Sequence, residues 1–106
     1  KDASMIVDSC KNEKSNRIII THGTDTITNT AKLISNQKLI NKTIILTGAM
    51  IPYAFGSSSD GFFNLGCALS FVQTLDPGVY ITMQGEYFKW YEVEKNNEIG
   101  VFERKK

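Results

Sequence analysis

The 106-residue chain predicts an α/β fold, a parallel sheet layered between helices, on two observations. Three apolar runs, Ile18-Ile19-Ile20, Ile44-Ile45-Leu46 and Val79-Tyr80-Ile81-Thr82-Met83, lack the alternation of a strand with one wet face. Segments of helical spacing separate them, so the order strand, helix, strand, helix, strand predicts βαβ units with right-handed crossovers as the default. In chain order, Met5 to Cys10 is compatible with the last turns of a helix, and the polar residues from Lys11 to Arg17 form a loop. Ile18 to Ile20 is a strand covered on both faces. Ile27, Ala31 and Ile34 describe one apolar face of a helix that ends near Ser35 and Asn36. After the second strand, a loop rich in Gly, Pro and Ser runs from Gly48 to Gly61. Phe62, Leu65, Leu69 and Val72 line the next helix, and Asp76-Pro77-Gly78 stops it. Beyond the third strand, Gly85 precedes the aromatic stretch Tyr87 to Tyr91, a hairpin or irregular edge segment. Arg104-Lys105-Lys106 is a solvated, frayed end. Residues 1–106 therefore read as one partial domain with a parallel three-layer (Rossmann-like) sheet.

Composition narrows the function. Twelve Lys plus Arg against eleven Asp plus Glu leave a net charge of +1, no signature for nucleic acid or an anionic membrane. No apolar run approaches the length of a membrane span. Cys10 and Cys67 cannot make a disulfide framework and have no neighbour at metal-ligand spacing, so they predict buried thiols of a reducing, cytoplasmic setting, a single bridge being the alternative. With one histidine, His22, no metal site is expected, and no cofactor either. Gly56, Ser57, Ser58, Ser59, Asp60 and Gly61 do not form a phosphate-binding loop, because no Lys-Ser or Lys-Thr follows the last glycine. A chain opening on Lys1 without Met is expected to be a fragment or a processed product.

In open α/β sheets, ligands settle at the carboxyl ends of strands. Three segments belong to that edge: Thr21-His22-Gly23-Thr24-Asp25-Thr26, Thr47-Gly48-Ala49-Met50 and Met83-Gln84-Gly85. In the first, a glycine permits close backbone approach, two hydroxyls and a carboxylate sit on the turn, and the following helix presents free N–H groups. Such a turn binds a carboxylate or stabilises an oxyanion; alternatively, Thr and Asp simply cap the helix. His22 is either a general base or a structural hydrogen-bonder. The aromatic stretch from Tyr87 to Tyr91 lacks the positive surroundings that base stacking needs and reads as packing or an interface.

Taken together, the residues carry a family resemblance. Thr21-His22-Gly23-Thr24-Asp25-Thr26 after an apolar strand resembles the second signature of the bacterial-type L-asparaginase and glutaminase family. Three further segments agree in order and spacing: Leu46 to Pro52, Asp60 to Leu65, and Val79 to Gly85 leading to Lys95-Asn96. The resemblance covers nearly all of this chain and about the middle third of a family member. It implies hydrolysis of the Asn or Gln side-chain amide through a threonine acyl-enzyme. By the same resemblance, Thr24 is the site threonine, Asp25 receives the substrate's α-amino group and Lys95 is hydrogen-bonded to Thr24. Gly23 lets the substrate lie against the turn, and the Ala49 carbonyl orients the leaving amide nitrogen. Physically, a hydroxyl needs a neighbouring base or cation to become a nucleophile, and a partly desolvated lysine can supply one.

The departures are specific. The family's first signature, a Gly-Gly-Thr on an opening strand that supplies the threonine usually assigned as the acylating nucleophile, occurs nowhere in these 106 residues. The Ser-containing substrate loop and the C-terminal domain are also missing, Ile27 replaces a common methionine, and Ser57 to Ser59 alter a loop. The chain alone is therefore expected to be weak or inactive and marginally stable, with a bare sheet edge that invites a complementary N-terminal segment or a homo-oligomer. A noncatalytic binding or assembly piece is the alternative function, and an asparaginase-like subunit of a tRNA-dependent amidotransferase another.

Overall fold

The computed structural model describes residues 3–51 and 59–106; part of the predicted loop, including Pro52, Gly56, Ser57 and Ser58, lies outside the described residues. Helix α1 spans Ala3–Asn12, two residues into the predicted loop, and strand β1 Arg17–Thr21. There follow α2 (Ile27–Asn36), β2 (Thr43–Thr47), α3 (Gly61–Val72) and β3 (Gly78–Met83). The aromatic stretch becomes an edge strand β4 (Glu86–Lys89) and a 3₁₀ turn (Trp90–Glu92). A separate two-stranded ribbon, β5 (Val93–Asn96) with β6 (Val101–Arg104), ends the chain and was not expected from the sequence. Arg104 is not frayed: it closes β6 and its guanidinium stacks on the Phe88 ring, while Lys105 N–H donates to the Glu92 carbonyl.

The main sheet runs β1-β2-β3-β4, parallel across the first three strands and antiparallel at the last pair. Register aligns Thr21, Thr47 and Thr82, so the strands finish level and their outgoing loops share one edge. The mixed α/β sheet with helices on both faces agrees with the predicted three-layer class. One face carries Ile44, Leu46, Ile81 and Met83 against α1, α2 and the ribbon residues Val93 and Phe102. The other carries Ile45 and Tyr80 against Ala68 and Val72 of α3. Burying an isoleucine such as Ile27, Ile34 or Ile44 contributes about 1.5–3 kcal/mol, so these two clusters are the main stabilising term.

Three expectations need correction. First, the strand order advances in one direction while α2 and α3 lie on opposite faces, so the two crossovers have opposite hands and one departs from the right-handed default. Second, β1 is an edge strand whose isoleucines are only half-buried, whereas β2 is buried throughout. Third, the face of α3 is rotated: Gly61, Asn64, Ala68 and Val72 are buried, whereas Phe62 and Leu69 are exposed. The helix is apolar nearly all round, so spacing does not select one face; small residues let it approach the sheet closely. Cys10 and Cys67 are both free, on opposite sides of the sheet, and burial pushes the Cys10 thiol up despite the opposing charge of Lys42. No helix among the described residues is long and apolar enough to cross a membrane.

The β3–β4 hairpin turns through Gln84 and Gly85, both at positive φ (46° and 81°), as a two-residue hairpin loop matching the sheet twist requires. Glycine adopts this without penalty. For Gln84 the left-handed backbone costs about 1–3 kcal/mol.

Candidate active site

The connections leaving β1 and β2 go to opposite faces, and the loops they begin start side by side at the sheet's carboxyl edge, where open α/β sheets bind ligands. The turn after β1 carries the first of the expected residues. Thr26 precedes α2 but makes no side-chain cap bond, so helix capping does not explain the Thr-Asp-Thr turn. The side chains of Thr24 and Asp25 go elsewhere. Lys95 Nζ, on β5, donates to Thr24 Oγ1 at 2.8 Å and pairs with Asp25 Oδ1 at 2.6 Å.

This convergence joins residues some seventy positions apart. The Lys95 side chain is only 19% exposed and that of Asp25 84%, so the pair draws a half-buried ammonium toward an open carboxylate. An ion pair with so exposed a partner contributes at most about 1 kcal/mol, too little to be its reason for existing as a stabiliser. Chemically, the ammonium beside Thr24 lowers the cost of placing negative charge on that oxygen, and the carboxylate remains open to a second cation.

His22 is held at both ring nitrogens. Nδ1 lies 2.8 Å from the Gly23 carbonyl, which can only accept, so Nδ1 carries the proton; Nε2 lies 2.8 Å from the Thr30 hydroxyl. The histidine ties the turn to α2, the structural role. A Cβ on Gly23 would meet nothing within 4 Å, so the protein's own packing does not demand glycine there. Gly48 is different. A Cβ there would overlap the His22 carbonyl oxygen and crowd the Thr24 methyl at 3.3 Å, so the loops after β1 and β2 touch at this residue. Ala49 follows it directly, half-buried in the second loop.

Two residues to which the sequence reading gave no role hold that second loop. The Asp60 carboxylate accepts the Met50 and Ile51 amides at 3.1 and 2.9 Å, and Asn64, fully buried, donates to the Gly48 carbonyl at 2.8 Å and to Asp60 at 3.1 Å. A polar residue on the buried face of an apolar helix, four positions after an aspartate, is the signal that could have found them. Burial pushes the Asp60 carboxyl up, but the donors from Ile51, Met50, its own amide and Asn64 more than offset this and hold it below the usual carboxylate range. A depressed folded value adds stability that is present above the unfolded value of about 3.9 and is lost as pH falls through the folded one. Asp60→Asn, with one acceptor oxygen, is expected to cost about 1 kcal/mol at neutral pH and to flatten the loss below about pH 4. Urea midpoints of both proteins between neutral and acid pH check this; parallel curves would refute it.

Comparison with known proteins gives the family and the fold. The family model described as asparaginase, N-terminal, matches residues 2–102. A glutaminase-asparaginase of Pseudomonas fluorescens biotype A is 37% identical over 81 residues, 74% of this chain and 22% of its own length. The L-asparaginase of Thermococcus kodakarensis is 35% identical over 86 residues, 79% of this chain and 26% of its length. In structure, the thermostable L-asparaginase of that organism superposes with a TM-score of 0.75 at 25% identity, covering 96% of this chain and 31% of the other. The chain thus spans about a quarter of the length of the curated relatives it matches. With a family model covering nearly all of it and the same fold in a solved relative, the chain belongs to the asparaginase family, in the N-terminal domain.

Proposed function

We propose that this chain carries the Thr24, Asp25 and Lys95 part of an amidohydrolase site that hydrolyses L-asparagine, and L-glutamine, to the acid and ammonia. The observation that carries the reading is the Lys95 amine held on both Thr24 Oγ1 and Asp25 Oδ1 in a member of this family. Asp25 takes the substrate's α-ammonium on its open carboxylate. Gly23 leaves room above the turn for the substrate backbone, and the Ala49 carbonyl accepts from the departing amide nitrogen. A threonine hydroxyl adds to the amide carbonyl, ammonia leaves with the hydroxyl's proton, and water hydrolyses the resulting ester to the carboxylic acid. Lys95 and Thr24 relay the proton in these steps.

In this reading the acylating threonine comes from a strand outside the 106 residues. The outer edge of β1, which has no neighbouring strand among the described residues, supports it. Alongside that edge runs a groove of about 600 Å³ between α1 and β1, walled by Ile6 and Cys10 on one side and Ile18 and Ile20 on the other, and ending at Thr21, His22 and Gly23. A strand added there meets the outer backbone edge of β1 along a trough of mixed lining, isoleucines together with Ser9 and Glu13, and its end arrives at the turn that carries Thr24. The alternative of a noncatalytic assembly piece rests on the same edge and differs only in what the added strand brings.

Ammonia release from Asn and Gln by the chain alone is expected at background, and addition of a polypeptide bearing a Gly-Gly-Thr strand is expected to restore it. Turnover by the unaided chain comparable with a full-length relative would make Thr24 the nucleophile and overturn the divided site. Binding of the added polypeptide without any hydrolysis would favour assembly.

A further inference from the structure

The geometry points to Gln84 as a positioning residue for Lys95: its side-chain amide takes the place of a neighbouring strand on the outer edge of β6 and thereby sets where the lysine stands. The inference rests on the role given to Lys95 above. Phe102 N–H donates to Gln84 Oε1 at 3.1 Å, and Gln84 Nε2 donates to the Phe102 carbonyl. One side-chain amide therefore satisfies both backbone groups of a single strand residue, as a paired strand would.

Phe102 is the residue directly opposite Lys95 in the β5–β6 ribbon. Since its polar groups turn outward to Gln84, Lys95 and Phe102 form a pair of the non-hydrogen-bonded kind, in which the facing backbones lie closest and the side chains share a face. Phe102 is buried, so the face that anchors the ribbon is also the face from which Lys95 reaches Thr24 and Asp25. Fixing the backbone of Phe102 fixes the root of the lysine.

The backbone of Gln84 adds an independent argument. It occupies the left-handed region at the first central position of a turn where Asn or Gly fits with less strain. The turn requires this positive φ but not a glutamine, and the hydrogen bonds of its side-chain amide offset the cost of placing one there. Its own amide donates to Asn64 Oδ1 at 3.1 Å, and Asn64 in turn holds the Gly48 carbonyl. A continuous set of hydrogen bonds thus links the loop after β2, helix α3 and the β3–β4 turn to β6, the strand that faces the lysine's own.

Gln84→Gly separates the two tasks, because glycine keeps the positive φ and removes the amide. In the full chain, hydrogen exchange at the Phe102 amide is expected to rise about tenfold or more, the Lys95–Thr24 side-chain NOE to weaken, and the melting temperature to hold or increase. Gln84→Glu, which retains the acceptor for Phe102 N–H but not the donor, is expected to exchange at an intermediate rate. With the complementing strand added, kcat should fall about tenfold in Gln84→Gly with KM little moved, the pattern of a displaced catalytic group rather than a damaged binding site. Unchanged Phe102 exchange and an unchanged NOE would overturn the inference, as would loss of both through a lowered melting temperature alone. Lys95→Ala separates the two failures: hydrolysis that survives it removes Lys95 from the reaction, whereas exchange and NOE still decide whether Gln84 sets its position.

Discussion

Lys95→Ala is expected to reduce ammonia release by about 10²–10⁴-fold in the complemented chain, with a much smaller change in KM. Two separate losses contribute. Thr24 Oγ1 loses the amine that exchanges a proton with it, and Asp25 loses the partner that orients its carboxylate. The fold should survive, because the lysine's partner is exposed and the pair contributes little to stability. Lys95→Arg distinguishes the two contributions. Arginine restores a positive charge near Asp25 but stays protonated at any working pH, so it cannot accept a proton and is not a substitute for lysine at a relay position. Arg is therefore expected to undo the small change in KM without recovering kcat. Steady-state ammonia assays on both variants read this out, and full activity in Lys95→Arg would reduce the lysine to a counter-ion.

How much of this was legible beforehand differs by element, for physical reasons. The runs Ile18 to Ile20 and Ile44 to Leu46 are apolar without alternation because both faces of the sheet are covered, and that pattern is local, so β1, β2 and their parallel pairing were readable. The α2 face was readable too, since Ile27, Ala31 and Ile34 are separated by polar residues apart from Leu33. Helix α3 offered no such contrast, and the buried face had to be chosen by packing. Handedness of the crossovers is set by which face each helix takes, which no local pattern records. At the site, Thr24 and Asp25 stand together in one turn, but nothing in spacing joins them to Lys95; only the family resemblance did. Asp60, Asn64 and Gln84 stand in segments the sequence singles out, but their tasks were not legible, because each acts largely on backbone groups of another segment, and the choice of those backbone partners exists only once the chain is folded.

Gly48→Ala should be the most damaging small substitution in the described residues, for the site and the fold together. The added methyl group would overlap the His22 carbonyl oxygen, a backbone atom whose own amide is bonded to the Thr47 carbonyl at 2.8 Å and which therefore cannot step aside cheaply. Relief requires the loops after β1 and β2 to part, which breaks that bond or the one from Asn64 to the Gly48 carbonyl. Overpacking of this kind costs about 3 kcal/mol, which in a domain of this size lowers the melting temperature by roughly 10 °C or more. Any parting of the loops also moves Thr24, whose methyl is the next atom the new group would meet, away from Lys95 and Ala49. A displacement of about 1 Å at a reacting group can cost about 10²-fold in rate. Gly66→Ala is the matched control: it lies inside α3, a Cβ there meets nothing within 4 Å, and alanine should stabilise the helix by about 0.5–1 kcal/mol. Opposite shifts of melting temperature for the two variants are expected. Equal shifts would mean that the contact between the two loops at Gly48 does not hold them together.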